Sequence, residues 1–308
     1  MVAFLFAGQG SQYIGMGKDL YASFPESKRV FEKADEVLGF SLSGLIFGGP
    51  GEALINTVTS QPAILAASIA AFEAFRQRSG VKPAYLAGLS LGEYSALIAA
   101  GSLSFEAGLR LVRKRAEIME EAAHRHPGGM AAVLDLPIGQ LRDICLKAGA
   151  EIANINAPGQ VVISGKKEAV GKASVLAQEA GAKRVIALEV SGGFHSSLML
   201  EASAEFKPVL ESAEISPAVI PVVSNYTARP QYQPAEIREN LAYQIHSPVR
   251  WEESMRFILS CGVSDFIEFG PGRILNGLLR RIDPSAQVIS IEKKEDILNK
   301  EGKDAAER

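Results

Sequence analysis

Residues 84–101 read AYLAGLSLGEYSALIAAG, and their pattern decides the fold. Tyr85, Leu86 and Ala87 begin a short strand, and the pentad Gly88-Leu89-Ser90-Leu91-Gly92 turns the chain. The apolar stretch beyond is a helix that stops at Gly101, a residue suited to a helix C-terminus. G-x-S-x-G at a strand-to-helix turn is the spacing of a sharp elbow that lifts a serine hydroxyl into the open, with glycines where a side chain would clash. The next backbone N–H, on Leu91, then sits at a helix N-terminus and can donate to a developing oxyanion, helped by the helix dipole. The plain alternative is a glycine-bounded turn with an N-capping serine. The motif arises often by chance, and its strand–turn–helix setting is what favours a nucleophile.

Upstream, residues 2–7 form a strand that ends in GQGSQ, and residues 61–79 form an alanine-rich apolar helix suited to burial on most sides. Downstream, residues 104–123 form a third helix carrying LRLVRKRAEIM. The texture then changes. MAAVLDL is a strand, residues 137–148 a helix, IANINAPGQVVISG two strands about a turn, residues 167–180 a helix and KRVIALEV a strand. Strand, helix, strand, strand, helix, strand is a ferredoxin-like order. Residues 128–190 are therefore expected to form a small inserted domain, with 1–127 and 191–308 as the larger one. IPVVSN and DFIEFG are two further strands, and the charged tail after Ile291 is expected to fray. Alternating strands and helices make the fold class α/β.

The whole chain agrees. Its 308 residues are 47% hydrophobic and 22% charged, ordinary globular composition. With 32 basic against 35 acidic residues it lacks the basic excess of a nucleic-acid binder. Cys145 and Cys261 have no metal-ligand spacing and read as reduced thiols, which implies a cytoplasmic protein. MVAFLFAGQG has no charged leader and reaches glycine too early for a signal peptide, and no stretch is read as a membrane span.

A serine nucleophile needs a base. His124 and His126 lie in the polar HRHPGG connection, and His246 in QIHSPVRW suits a structural role. His195, in SGGFHSSLM, follows a strand and a glycine pair and is expected to begin a helix, where it can face a cleft. It is the preferred base, against the usual fate of a lone histidine as a satisfied core residue.

FLFAGQGSQYIGMG (4–17), GLSLGEYSAL (88–97), LVRKRAEIM (111–119), NAPGQVVISG (156–165), GGFHSSLM (192–199), QIHSPVRW (244–251) and EFGPGRILNGL (268–278) occur in one order. Together they resemble the malonyl-CoA:acyl carrier protein transacylases of fatty acid synthesis and the acyltransferase domains of polyketide synthases. The resemblance runs from Met1 to about Ile291. It implies Ser90 as the acylated serine, His195 as the catalytic histidine and Arg115 as the anchor of the free malonyl carboxylate. It implies Gln9 and Leu91 as oxyanion-hole donors, and Gln244 as the residue whose backbone carbonyl orients the histidine without a third acid. The implied fold is α/β-hydrolase-like with a ferredoxin-like insertion. The implied partners are malonyl-CoA, as substrate, and acyl carrier protein; no cofactor, metal, nucleic acid or membrane is implied, and a monomer is expected. Without the resemblance, Arg115 is a solvated charge, GQGSQ a plain turn and Gln244 a surface amide. Leu89 departs from the histidine many members carry before the nucleophile. Phe194 and Leu91 match malonyl-selecting variants, whose bulk would crowd an α-methyl group. Lys183-Arg184 and Arg280-Arg281 are candidate docking pairs for an acidic carrier. The rivals are a serine esterase or thioesterase, and an inactive relative that only docks carriers.

Overall fold

The computed structural model describes residues 1–299. The chain runs through β1 (Val2–Phe6), α1 (Lys18–Ser23), α2 (Pro25–Leu38), α3 (Leu42–Gly48), α4 (Thr57–Arg76), β2 (Tyr85–Gly88), α5 (Gly92–Ala99) and α6 (Phe105–Arg125). It continues through β3 (Gly128–Leu134), α7 (Ile138–Ala148), β4 (Glu151–Ala157), β5 (Gln160–Lys166), α8 (Lys167–Glu179) and β6 (Arg184–Ala187). The last part holds α9 (Leu200–Ser212), β7 (Val222–Val223), β8 (Pro230–Gln231), α10 (Pro234–Gln244), α11 (Trp251–Ser260), β9 (Asp265–Phe269), α12 (Ile274–Ile282) and β10 (Gln287–Ile291).

Two sheets organise these elements into a mixed α/β fold. The larger has strand order β10-β9-β1-β2-β7-β8, parallel except for the two-residue β8 at its edge. A parallel sheet is covered on both faces, so its strands are apolar throughout. Phe4 and Phe6 on β1 pack with Phe72 and Phe75 of α4 and Phe269 of β9 on one face. Ala3, Leu5 and Ala87 meet Trp251, Met255, Leu275 and Leu279 on the other. The alanine-rich helix starts earlier than expected, because Asn56 accepts a hydrogen bond from the Val58 N–H and caps it. Contrary to the reading that nothing here suits a membrane span, α4 is long and apolar enough to be one. Most of it is buried inside the protein, as the core helix between α2, α5 and α6.

The smaller sheet, β4-β5-β3-β6, is antiparallel. Period-2 alternation divides its residues. Ala131, Val133, Val161 and Ile163 pack under α7 and α8, whereas Met130, Ala132 and Val162 face a cleft shared with the large sheet.

Residues 294–299 are helical and Ile297 is buried, so the tail does not fray directly after Ile291; the remainder of that expectation, residues 300–308, lies outside the described residues. His195 does not begin a helix either. Ser196 caps a short 3-10 turn, Ser197–Met199, by accepting from the Leu198 N–H, and α9 starts only at Leu200.

Candidate active site

The site lies at the carboxyl ends of β1 and β2, the place where open parallel sheets leave room for ligands. The turn after β2 has no space to spare. A Cβ on Gly88 would strike the backbone of Gly92, and one on Gly92 would strike the Phe6 carbonyl. Between them Ser90 is held at φ 52°, a left-handed conformation that costs energy for a residue with a side chain. Asn225, just beyond β7, holds that conformation in place. Its Oδ1 accepts from the Ser90 N–H at 2.5 Å and its Nδ2 donates to the Gly88 carbonyl at 2.8 Å.

Ser90 Oγ lies 2.8 Å from His195 Nε2, and His195 Nδ1 lies 2.8 Å from the backbone carbonyl of Gln244. A carbonyl only accepts, so Nδ1 carries the proton and Nε2 is left as an acceptor facing Ser90 Oγ. His195 itself sits at φ 55°. Burial, and then the neighbouring Arg115 guanidinium, hold its pKa down from 6.5 to about 4, which keeps the imidazole neutral. Among the described residues no carboxylate hydrogen-bonds to His195.

Arg115 is 1% exposed, not solvated. Its neighbours explain this: Val112, Ala116 and Met119 are also buried, so residue 115 falls on the apolar stripe of α6. One Nη2 donates to Ser90 Oγ and to Gln244 Oε1, both at 3.0 Å, and Nη1 donates to Gln61 Oε1 at 2.5 Å. The guanidinium also lies 5.6 Å from the Tyr94 ring. Across the Gln244 amide stands a carboxylate, Glu93, which accepts from Gln244 Nε2 at 2.7 Å, the Asn225 N–H at 3.0 Å and Gln231 Nε2 at 2.6 Å. Burial pushes Glu93 up to about 7 despite these donors. The motifs named Ser90 and Arg115 but not Glu93, Asn225 or Gln61. Glu93 carried a signal, as an acid on the otherwise apolar α5, whereas Gln61 and Asn225 lie among polar neighbours and carried none.

Gln9 lies beside the cleft, and its side chain is turned away to Thr57 Oγ1 at 3.0 Å and Ser60 Oγ at 3.4 Å. The Leu91 N–H precedes α5, and the Leu91 side chain is fully buried in the large core. Phe194 lines the cleft. Leu89 lines the cleft in the place of the common histidine. His124 and His126 are surface residues near Glu120 and Glu201, and His246 packs against Tyr243.

The cleft has a volume of about 530 Å³ and runs between the elbow and the free face of the small sheet. Its flanks include residues of β6 and α12, the two elements that carry the basic pairs. Those pairs converge on one carboxylate: Arg281 lies 2.8 Å and Lys183 3.8 Å from Asp135.

Comparison with known proteins gives the family. Residues 3–294 match the acyl transferase domain family. The chain is 48% identical over 301 residues to a malonyl CoA-acyl carrier protein transacylase of Bacillus subtilis, covering 96% of this chain and 95% of that one. Its structure superposes on an acyl carrier protein S-malonyltransferase of Vibrio cholerae with TM-score 0.94 at 39% identity, covering 97% and 99% of the two chains. A malonyl-transacylase solved in complex with its type II PKS acyl-carrier protein gives TM-score 0.95 at 38% identity, covering 98% and 99%. An elbow serine, a histidine within hydrogen-bond reach and a buried arginine on the same hydroxyl thus stand in a chain that belongs to the acyl transferase domain family, among the malonyl CoA-acyl carrier protein transacylases.

Proposed function

We propose that this chain transfers a malonyl group from malonyl-CoA to the phosphopantetheine thiol of an acyl carrier protein, through a malonyl ester on Ser90. The observation that carries this reading is Arg115: a buried cation on the same hydroxyl that His195 addresses. In the first half-reaction His195 Nε2 takes the Ser90 proton, and Oγ attacks the thioester carbonyl. The oxyanion rests on the Gln9 and Leu91 N–H groups, the C–S bond breaks, and the imidazolium returns its proton to the departing thiolate. In the second half-reaction His195 takes the carrier thiol's proton, the sulfur attacks the ester, and Ser90 leaves with that proton. Arg115 holds the free carboxylate throughout, and a guanidinium fork suits both carboxylate oxygens. An esterase or thioesterase has no use for such a cation beside the acyl group.

The reaction as written takes malonyl-CoA as substrate and needs no metal or bound cofactor. In this reading the carrier docks on Lys183, Arg184, Arg280 and Arg281, of which Lys183 and Arg281 share an ion-pair partner in Asp135. One chain supplies every group in this scheme, which favours a monomer, and free Cys145 and Cys261 favour the cytoplasm. In this reading residues 1–127 and 191–308 form an α/β-hydrolase-like catalytic domain, and residues 128–190 a ferredoxin-like insertion; the strand order β4-β5-β3-β6 supports the latter. Initial rates with both substrates varied test the scheme. Parallel double-reciprocal lines are expected, and intersecting lines would require a ternary complex without the serine ester.

A further inference from the structure

Glu93 is fully buried in the first turn of the otherwise apolar α5. A buried carboxylate is costly unless a cation or several donors meet it. Here the donors are neutral. Oε2 accepts from Gln244 Nε2 at 2.7 Å and from the Asn225 N–H at 3.0 Å, and Oε1 accepts from Gln231 Nε2 at 2.6 Å. Arg115 has the opposite lack. Among the described residues no carboxylate bonds to its guanidinium, whose hydrogen-bond partners are Gln61, Ser90 and Gln244. One amide joins the two charges: Gln244 Oε1 accepts from Arg115 Nη2 at 3.0 Å while its Nε2 donates to Glu93. The attraction between Arg115 and Glu93 acts on both, in an interior that screens it far less than water does.

An acyl carboxylate that binds Arg115 joins this pair as a second anion on one cation. It gains the attraction of the guanidinium and meets the repulsion of Glu93 one amide away. A neutral acyl group meets neither. The charge on residue 93 therefore reaches the substrate only through a carboxylate that a malonyl group has and an acetyl group lacks. Transfer has a use for such a restraint. The malonyl group must leave with the carrier, and binding that is equally tight at every stage holds it without speeding the chemistry.

We propose that Glu93 is a specificity-determining residue that never touches substrate: its negative charge, set across the Gln244 amide from Arg115, moderates the grip on a charged acyl group. The inference rests on Arg115 as the carboxylate anchor. The charged and titratable groups acting on Glu93 are Arg115 from α6 and Tyr94 from α5, whereas α10, β8 and the segment after β7 present only amides. Burial raises the Tyr94 phenol far above its ordinary value, so it stays neutral at the pH values used below.

Glu93→Gln isolates the charge. One amide oxygen serves both Gln244 and the Asn225 N–H, which share Oε2, and the Gln231 amide, whose Oε1 accepts from Asn240 Nδ2 at 2.8 Å, turns over to meet the new NH2. In Ser90→Ala protein, which cannot be acylated, titration calorimetry gives Kd for malonyl-CoA and acetyl-CoA with and without Glu93→Gln. At about pH 8.5 the second substitution is expected to tighten malonyl-CoA roughly tenfold and to leave acetyl-CoA unchanged; damage to the fold would weaken both. Burial pushes Glu93 up to about 7, so it is charged above that pH and neutral below it, and the difference should vanish by about pH 5.5. Ser90→Ala protein alone gives a readout with residue 93 intact: its preference for malonyl-CoA over acetyl-CoA should rise by the same factor between about pH 8.5 and about pH 5.5, the coenzyme A part titrating alike in both ligands. Unchanged or weaker malonyl-CoA binding in Glu93→Gln, an equal shift for acetyl-CoA, or a preference that does not move with pH would overturn the role of Glu93. Malonyl-CoA binding that survives Arg115→Ala undiminished would instead remove the anchor reading on which it rests.

Discussion

Replacing Arg115 by alanine separates a malonyl transferase from a general acyl transferase. The guanidinium is 1% exposed and holds Gln61, Ser90 and Gln244 together. A malonyl carboxylate brought beside Ser90 loses its water, and stranding one charge of such a pair costs ~2–5 kcal/mol. At ~1.4 kcal/mol per tenfold, Arg115→Ala should lower kcat/KM for malonyl-CoA by about 30-fold to several thousand-fold. Acetyl-CoA has no carboxylate to strand. Of the three Arg115 bonds only the one to Ser90 Oγ reaches the reacting group, worth ~0.5–1.5 kcal/mol, so the acetyl rate should fall by roughly tenfold. Arg115→Lys should recover part of the malonyl rate, since an ammonium keeps the charge but not the fork. Arg115→Ala also removes the second cause of the depressed His195 pKa, so the acid limb of acylation should move to higher pH. The assay is a side-by-side rate comparison of both thioesters. Equal losses for malonyl and acetyl would refute Arg115 as the carboxylate anchor.

Three further outcomes follow from the same geometry. Because a backbone carbonyl, not an acid, orients the base, His195→Ala should slow serine acylation by orders of magnitude in rapid-quench measurements; a larger loss from Glu93→Gln would point to a hidden third catalytic acid. A histidine whose folded pKa lies below its unfolded value contributes stability above pH 6.5 that is lost as pH falls toward 4. Chemical unfolding should therefore show the wild type losing about 2 kcal/mol relative to His195→Gln between about pH 7.5 and about pH 5, and a pH-independent difference would contradict the buried neutral imidazole. Reversing Lys183 and Arg184 to glutamate should raise KM for the carrier but not for malonyl-CoA, fading at high salt, whereas Asp135→Asn should lower the carrier KM by freeing Lys183 and Arg281; equal changes for both substrates would exclude the patch.

The elbow was legible because its tightness is partly local: a Cβ on Gly88 collides with the Gly92 backbone four residues on, whereas the collision of a Gly92 Cβ with the Phe6 carbonyl is a tertiary contact. The small sheet was legible through its period-2 pattern and the turns at Gly159 and Gly181. What stayed hidden depends on distant partners. The two-residue β8 and edge strand β10 exist through their sheet neighbours, and helices α1 to α3 went unread where polar and apolar residues mix. Arg115 looks solvated inside VRKR, and only its phase relative to Val112 and Met119 shows that it points inward. Glu93 and Asn225 lie 132 positions apart, and their bond is a product of the fold, not of spacing. His195 was misplaced onto a helix because Ser196, not the histidine, caps the turn that follows.

Intact-mass analysis tests the central claim most directly. The protein is incubated with malonyl-CoA, measured, then mixed with phosphopantetheine-bearing carrier protein and measured again. One malonyl group should appear on the protein, map to Ser90, be absent in Ser90→Ala, and move to the carrier thiol in the second step. An unmodified Ser90 with free malonate accumulating, or a malonyl group that goes to water and not to the carrier, would contradict the account.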